Sequence, residues 1–423
     1  MRVVLTSMFT AGDVLPFLRL ARAMRLRGHD VALVTHVPYR SRAEASDIAF
    51  GTWDTPASYD ALLADGLEFD TPAGFQRIYR HHVVPSLAAE IRALQEHTEG
   101  DAILITRCGP ALAARCVAEQ RKIPLVELYL GPGHLTPPSM LAAMVRPMVS
   151  EIDAARSDVG LPAIADLEAW LGTANARIGT WPAWFAPRAA EWGSLELTGF
   201  LMDDETEAGV LPDETLRFLD AGAPPVLIAG GTGKFFTSEF FARCIEACRR
   251  SDRRALLVTP FADLVPKDLG GDAMRASHLS FSSVMSRVAA VIHHGGIGTS
   301  FQALRAAAPQ LVLGIGGDRP ENARQLARLG VGTHLPKSRW DQDSIAQALG
   351  ELLSSRDVKQ ACARAAAQLT DGRASTSDCI EALMHPSKTR ARRPACSAGE
   401  RVTWREGWVH EQIERHCRED GSR

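Results

Sequence analysis

His293 and His294 stand directly before a glycine cluster in "VAAVIHHGGIGTSFQAL", which runs from Val288 to Leu304. The β-branched apolar opening predicts a buried strand, and the continuation predicts a helix starting near Gly298–Thr299. A strand that passes through glycines into a helix is suited to holding an anion. The first backbone N–H groups of a helix lack internal partners, and its dipole places partial positive charge there. Gly296 and Gly298 let oxygen atoms approach the backbone without a Cβ in the way. The Thr299 hydroxyl and the His294 ring add donors. A plain tight turn would explain the glycines and leave the histidines unexplained. Neighbouring strand residues face opposite sides, so His293 and His294 are poorly placed to share one metal ion.

A second glycine loop, "AGGTGKFF" at 229–236, follows another apolar strand and places the Thr232 hydroxyl in it. It is not a kinase-type phosphate loop: the position of the first required glycine is Ile228, and Phe235 follows Lys234 where Ser or Thr is needed. The first strand of the chain, "MRVVLTS", leads into "SMFTAGDV" without G-x-G-x-x-G, which argues against a dinucleotide dehydrogenase. Phosphate-friendly loops therefore fall in the second half alone. This asymmetry points to a diphosphate-bearing ligand on the C-terminal half and a different ligand on the N-terminal half. Asp13 in that first loop reads, on the residues alone, as a cap of the following helix.

The elements that must position these residues read as two similar halves. In the first, "MRVVLTS" is a strand, "TAGDV" a turn, "LPFLRLARAMRLRGHD" a helix closed by Gly28, and "VALVTH" a strand. The second opens at "PPVLIAGGTG" and continues through "SEFFARCIEACRR", "RALLVTP", "VAAVIHH", "QLVLGIG" and "PENARQLARLG" in strand–helix alternation. The expected fold class is α/β, with two facing Rossmann-like domains and parallel sheets. The expected boundaries are 1–205 for the N-terminal domain, 206–222 for a linker and 223–384 for the C-terminal domain, whose last helix packs back on the first domain. Residues 385–423 form a basic, then mixed-charge tail of partly disordered composition. "MDDET" at 202–206 mimics a metal-binding Asp-x-Asp but falls at the linker and reads as a solvated acidic turn.

Bulk properties are consistent with this. The chain has 423 residues, 46% hydrophobic and 23% charged, with a formal net charge of -3, so no global field draws it to nucleic acid. No apolar run reaches about 18 residues, which predicts no transmembrane segment and leaves peripheral membrane contact open. The N-terminus is unlike a signal peptide. The 8 cysteines include no Cys-x-x-Cys pair and read as reduced thiols, so a cytoplasmic location is expected. Nothing in the residues sets an oligomeric state.

With these motifs the chain resembles the GT-B, family 1 glycosyltransferases of the bacterial natural-product and rhamnosyltransferase type, within the UDP-glycosyltransferase superfamily. "HHGGIGTSFQALRAAAPQLVLGIGGDRPENARQLARLGVG" is similar to their donor-binding signature, and "TSMFTAGDVLPFLRLARAMRLRGHDV" to their N-terminal opening. "WPAWFAPRAAEWGSLELTGF" resembles the stretch before their interdomain linker. The likeness extends over about residues 1–383. It implies a donor site in the C-terminal domain, with Thr232, His294, Gly296, Gly298 and Thr299 on the pyrophosphate of a UDP- or dTDP-sugar. It further implies Ser280, Phe281, Ser282 and Val284 at the nucleobase, Asp318 and Arg319 at the sugar, and Asp13 as general base. No cofactor and no metal are implied. The partners implied are the nucleotide-sugar donor and a lipophilic small-molecule acceptor: a natural product, a hydroxy-fatty acid or a sterol-like molecule. Two departures stand out. Arg319 takes a place where glucose-using relatives carry glutamine. The strand "DAILITRCG" ends in Thr106 and Arg107, where a carboxylate would support a histidine base, which leaves Asp13 without an acidic partner. Competing readings are an inactive nucleotide-sugar-binding partner protein and a nucleotide-sugar epimerase on the same architecture.

Overall fold

The computed structural model describes residues 2–65, 71–188, 192–202 and 209–384. Seven parallel strands form the first sheet: β1 (Arg2–Thr6), β2 (Asp30–Val34), β3 (Ala49–Gly51), β4 (Ala102–Arg107), β5 (Leu125–Tyr129), β6 (Ala176–Gly179) and β7 (Leu195–Leu197). Their spatial order is β3-β2-β1-β4-β5-β6-β7. Six more parallel strands form the second sheet: β8 (Val226–Ala229), β9 (Ala255–Val258), β10 (Ala273–Ala276), β11 (Ala290–His293), β12 (Gln310–Val312) and β13 (Gly332–His334). Their order is β10-β9-β8-β11-β12-β13.

The continuous apolar runs make sheets covered on both faces. Successive residues of β1 alternate between two cores: Val3 and Leu5 join one, Val4 the other. In β8, Val226 and Ile228 face one layer while Leu227 and Ala229 face the opposite one. The helices from the 55–100 and 135–175 regions contribute Tyr59, Ile78, Leu87, Leu141 and Ile152 to a single face of the first sheet.

The first core does not stop at the domain boundary. Phe200 lies 5.0 Å from Phe301, ring centre to ring centre, and Ile297, Leu304 and Leu326 continue the same cluster. Arg328 Nη2 donates to the Trp184 and Phe185 carbonyls at 2.8 and 2.6 Å. The last described helix, Arg373–Met384, returns to the first domain, where Arg27 Nη1 lies 2.7 Å from Asp378 and 2.9 Å from Glu381. The Gly372 N–H donates to the Phe200 carbonyl at 2.9 Å.

Two expectations change. The first helix is Ala11–Leu26, so "GDV" is its first turn and not a separate turn, with Pro16 accommodated inside. The expected linker contains a helix, Asp213–Asp220, and Leu211 and Leu219 are buried in the second domain, so its later part belongs to that domain. An acidic surface face hid the short amphipathic pattern. The Asp203 and Asp204 of "MDDET" and the tail from 385 lie outside the described residues. Among the described residues the six cysteines are free thiols, and no helix is long and apolar enough to cross a membrane.

Candidate active site

Parallel strands bring every loop of interest to one edge of each sheet. Thr6 of β1 is registered with Thr106 of β4, and His293 of β11 with Ala229 of β8 and Val312 of β12. The loops beyond these ends face a common cleft.

On the C-terminal side the two adjacent histidines divide their work. His293 is fully buried: its Nδ1 accepts from the Gly295 N–H at 3.1 Å, so its protonated Nε2 donates to Gln310 Oε1 at 3.0 Å. Both nitrogens are satisfied by the fold, and burial lowers its pKa to about 4. His294 is different. Its Nδ1 is buried without a hydrogen-bond partner, and burial together with the Arg319 charge holds the ring neutral. Its position depends on glycine: a Cβ at Gly296 would overlap His294 Nε2, and one at Gly231 would come within 3.0 Å of the ring. The helix that follows is Ile297–Arg305, one residue earlier than expected, with Gly296 at its N-cap and no side chain capping it. Gly298 and Thr299 lie in its first turn, and a Cβ at Gly298 would meet open space. These N–H groups, with His294 and Thr299, make an anion-holding end.

Thr232 sits across from this end. Its Oγ1 accepts from the Ala11 N–H at 3.2 Å, which ties the β8 loop to the first helix of the other domain. Phe235 from the same loop stacks parallel to His294 at 5.9 Å, with the Arg319 guanidinium 4.0 Å from its ring centre. Sequence reading used Phe235 only to reject a phosphate-loop motif. Asp318 precedes the Arg319–Arg328 helix, and its Oδ2 accepts from Asn322 Nδ2 at 2.7 Å. Asn322 also donates to the Gly295 carbonyl at 2.9 Å, so one amide fixes both the glycine loop and Asp318.

The nucleobase segment needs one correction. Ser280, Phe281 and Ser282 lie at the start of the Phe281–Val284 helix, with Ser280 Oγ 2.9 Å from Ser282 Oγ. The Val284 side chain is fully buried in the core of the second domain, so it cannot touch a base.

On the N-terminal side Asp13 occupies the third position of its helix, and Thr10 is the N-cap. Its carboxylate is held from three directions. Thr10 donates to Oδ2 from N and Oγ1, at 3.2 and 2.8 Å, and Arg107 Nε donates to Oδ1 at 2.7 Å. A carboxylate accepts about four hydrogen bonds, so one Oδ1 site remains. Burial opposes the charge, but Arg107, His134 and Thr10 outweigh it and keep the pKa below the usual carboxylate range. Asp13 thus has a basic partner where an acidic one was looked for. Beside it Phe9 is held at φ 82, an unusual conformation for a bulky residue, by donation from its N–H to His36 Nε2 at 2.8 Å. His36 Nδ1 in turn meets Asp54 Oδ2 at 2.6 Å.

His134, which sequence reading passed over, closes the gap between the two sides. It ends the short turn Pro132–His134 after β5, and its Nε2 lies 3.7 Å from Asp318 Oδ2. The available signal was "GPGH" immediately beyond a strand's C-terminal end. Beneath Arg107, Glu90 lines a cavity of about 20 Å³, room for one water, together with Thr6, Tyr79 and Thr106. Burial raises the Glu90 pKa to about 8. Among the described residues no group of three or more His, Cys, Asp or Glu could hold a metal ion.

Comparison with known proteins agrees with this architecture. Residues 266–382 match the "Erythromycin biosynthesis protein CIII-like, C-terminal domain" family. The chain is 28% identical to vancomycin aglycone glucosyltransferase of Amycolatopsis orientalis over 400 residues, 88% of this chain and 95% of that protein. It superposes on the glycotransferase of kitacinnamycin with a TM-score of 0.70 at 19% identity, covering 90% of this chain and 99% of that one. It also superposes on the glycosyltransferase VinC, solved in complex with dTDP, with a TM-score of 0.66 at 18% identity, over 92% and 100% of the two chains. The fold is GT-B and the chain is a glycosyltransferase, similar to the family 1 enzymes of natural-product biosynthesis.

Proposed function

We propose that this glycosyltransferase moves a sugar, with inversion, from a UDP- or dTDP-sugar to a hydroxyl of a lipophilic small molecule. The observation that carries the reading is the opposition of an uncapped helix end beside His294 to a fixed carboxylate, Asp13, across one cleft. The leaving diphosphate gains charge as the sugar departs. The N–H groups at Gly298 and Thr299, the Thr299 hydroxyl and the neutral His294 ring are donors suited to receive it without a metal. Thr232 can turn its hydroxyl hydrogen toward the same oxygens. Ser280, Phe281 and Ser282 are the polar and aromatic groups available to a uracil or thymine base.

Asp318, steadied by Asn322, accepts from sugar hydroxyls, and Arg319 lies beside it on Phe235. Asp13 uses its remaining lone pair to receive the acceptor hydroxyl and is the first group to take its proton. One displacement from the face opposite the diphosphate inverts the anomeric centre. The dTDP bound to the superposable VinC supports a thymidine or uridine diphosphate here. Lipophilic acceptors of the natural-product, hydroxy-fatty-acid or sterol-like kind suit the apolar helical layer of the first domain.

The deciding experiment is transfer from α-linked UDP- and dTDP-glucose to a panel of hydroxylated lipophilic acceptors, with the product's anomeric configuration read by NMR. A β-linked product is expected. An α-linked product would rule out single displacement, and donor binding without turnover would favour an inactive binding protein.

A further inference from the structure

The turn between β1 and the first helix leads directly to Asp13, and its shape is set from outside. Phe9 lies in it, buried, at φ 82, in the left-handed region that bulky residues avoid. Such a conformation persists only where the surroundings over-determine it. Two residues just beyond the end of β2 do so. Thr35 Oγ1 donates to the Ser7 carbonyl at 2.7 Å, and His36 Nε2 accepts from the Phe9 N–H at 2.8 Å.

We propose that His36, held by Asp54, is a positioning residue for sugar transfer: it fixes the turn at Phe9 and, through that turn, the aim of the Asp13 carboxylate. This role rests on the reading of Asp13 as general base.

A ring nitrogen that accepts from an N–H carries a lone pair, so the proton of the neutral imidazole is on Nδ1. There it donates to Asp54 Oδ2 at 2.6 Å. Asp54 is itself pinned, its Oδ1 accepting from the Val37 N–H at 2.9 Å and from the Thr52 hydroxyl at 2.7 Å. Burial opposes its charge, but His36, Thr52 and the Val37 N–H outweigh burial and keep it ionised. Only 4% of the His36 side chain and 8% of the Asp54 side chain are exposed. The ring centres of Trp53 and Tyr59 lie 5.1 and 4.5 Å from that of the imidazole. The titratable groups facing the ring are thus Asp54, which is ionised, and Tyr59, which is neutral with its pKa raised by burial to about 12.

The turn reaches Asp13 by two routes. The next N–H, that of Thr10, donates to Asp13 Oδ2 at 3.2 Å, so consecutive peptide N–H groups serve His36 and Asp13. The Phe9 ring lies against Arg107, whose guanidinium carbon is 5.7 Å from the ring centre, and Arg107 Nε donates to Asp13 Oδ1 at 2.7 Å. Without the bond to His36, Phe9 is free to return to an ordinary negative φ. The Thr10 N–H and the Phe9 ring then leave their places, and both holders of the carboxylate are disturbed.

The test uses the full chain with UDP-glucose and dTDP-glucose as donors and water as the acceptor. His36→Met removes the accepting nitrogen, whereas His36→Gln puts an amide oxygen close to its place. His36→Met should lower kcat by about 10²-fold, the cost of a misplacement of about 1 Å, and leave the donor KM nearly unchanged. His36→Gln should recover most of that loss. Carbon-13 NMR should show the Asp13 carboxyl titrating below the usual carboxylate range in the parent and in His36→Gln, and higher in His36→Met. Nitrogen-15 NMR of the parent at pH 7 should find His36 protonated on Nδ1 and not on Nε2. An Asp13 titration that His36→Met leaves unmoved, a loss as deep in His36→Gln as in His36→Met, or a proton on Nε2 would overturn the proposal. Should His36→Met fail to fold, Phe9→Gly decides, because glycine takes φ 82 without help. Adding His36→Met to Phe9→Gly should then change neither kcat nor the Asp13 titration, and a further fall in kcat would count against His36. Asp13→Asn separates the two readings. If it keeps the parent rate while the Asp13 titration still moves in His36→Met, the positioning stands and only the base reading fails. If Asp13→Asn is slow while His36→Met moves neither titration nor rate, Asp13 stands and His36 does not.

Discussion

Arg107 Nε donates to Asp13 Oδ1 at 2.7 Å, from the end of β4 to the first turn of the neighbouring helix, with 21% and 16% of the two side chains exposed. The pair gives the acceptor side of the cleft a carboxylate that is ionised, aimed and unable to swing. It also means that changing Asp13 alters more than a proton acceptor.

Asp13→Asn should keep the donation from Thr10 and lose the base, lowering turnover by roughly 10²–10⁴-fold with donor affinity unchanged. It also leaves Arg107 charged beside a neutral amide, so a stability loss of about 1–3 kcal/mol is expected. The double variant Asp13→Asn/Arg107→Met should recover stability but not turnover. Chemical denaturation and steady-state rates on the same samples separate the two effects. Turnover within a few-fold of the parent would move the base elsewhere.

His294→Ala should weaken UDP and dTDP binding by roughly 1.5–3 kcal/mol, the range for charge-assisted hydrogen bonds. Gly296→Ala should do much the same without touching a donor atom. Gly296 has φ -62 and ψ 139, which alanine adopts freely, so the only conflict is between the new methyl and the His294 ring. Calorimetry with both nucleotides reads this directly. Normal affinity in Gly296→Ala would show that the His294 position does not matter to the donor.

Glu90 makes a pH prediction. Its folded pKa, about 8, lies above its ordinary value of 4.5, so the folded state prefers the neutral form. Its contribution to stability is therefore complete below pH 4.5 and is lost as pH rises to about 8. Within that window the parent should lose roughly 1.4 kcal/mol of stability for each step of one in pH. Glu90→Gln carries no proton to lose, so it should flatten the decline and gain on the parent toward pH 8. Urea midpoints at pH 5 and 8.5 would reveal it. Parallel behaviour of the two proteins would mean that Glu90 finds a compensating partner.

Turnover should survive EDTA, because helix N–H groups, hydroxyls and His294 act on the diphosphate. Loss of activity in chelator, restored by magnesium or manganese, would overturn that part of the mechanism.

What could be read in advance was what is local. A strand, two histidines, glycines and a helix start lie within a dozen residues, and the folded loop follows that order closely. Asp13 was singled out through the resemblance carried by "TSMFTAGDV", and its place in the first turn of a helix is likewise local. Its partner was not foreseen, because Arg107 is 94 positions away and meets Asp13 only through the pairing of β1 with β4. His134 depends on still more: the place of β5 in the sheet, and the packing of one domain on the other. Val284 failed for another reason. A four-residue helix divides its side chains between cleft and core, and a contiguous segment could not be split without knowing which way it turned.

The contact between Gly372 N–H and the Phe200 carbonyl has a mechanical meaning. Gly372 so crowds Gly199 that a Cβ on it would overlap the Gly199 carbonyl. One of these strands of chain leaves the first domain and the other returns to it, and they pass at nearly the same point. Two passages at one point behave as a door on its pins and not as a weight on a string. The halves are thereby pinned along one line, beside the Phe200–Phe301 contact that joins their cores.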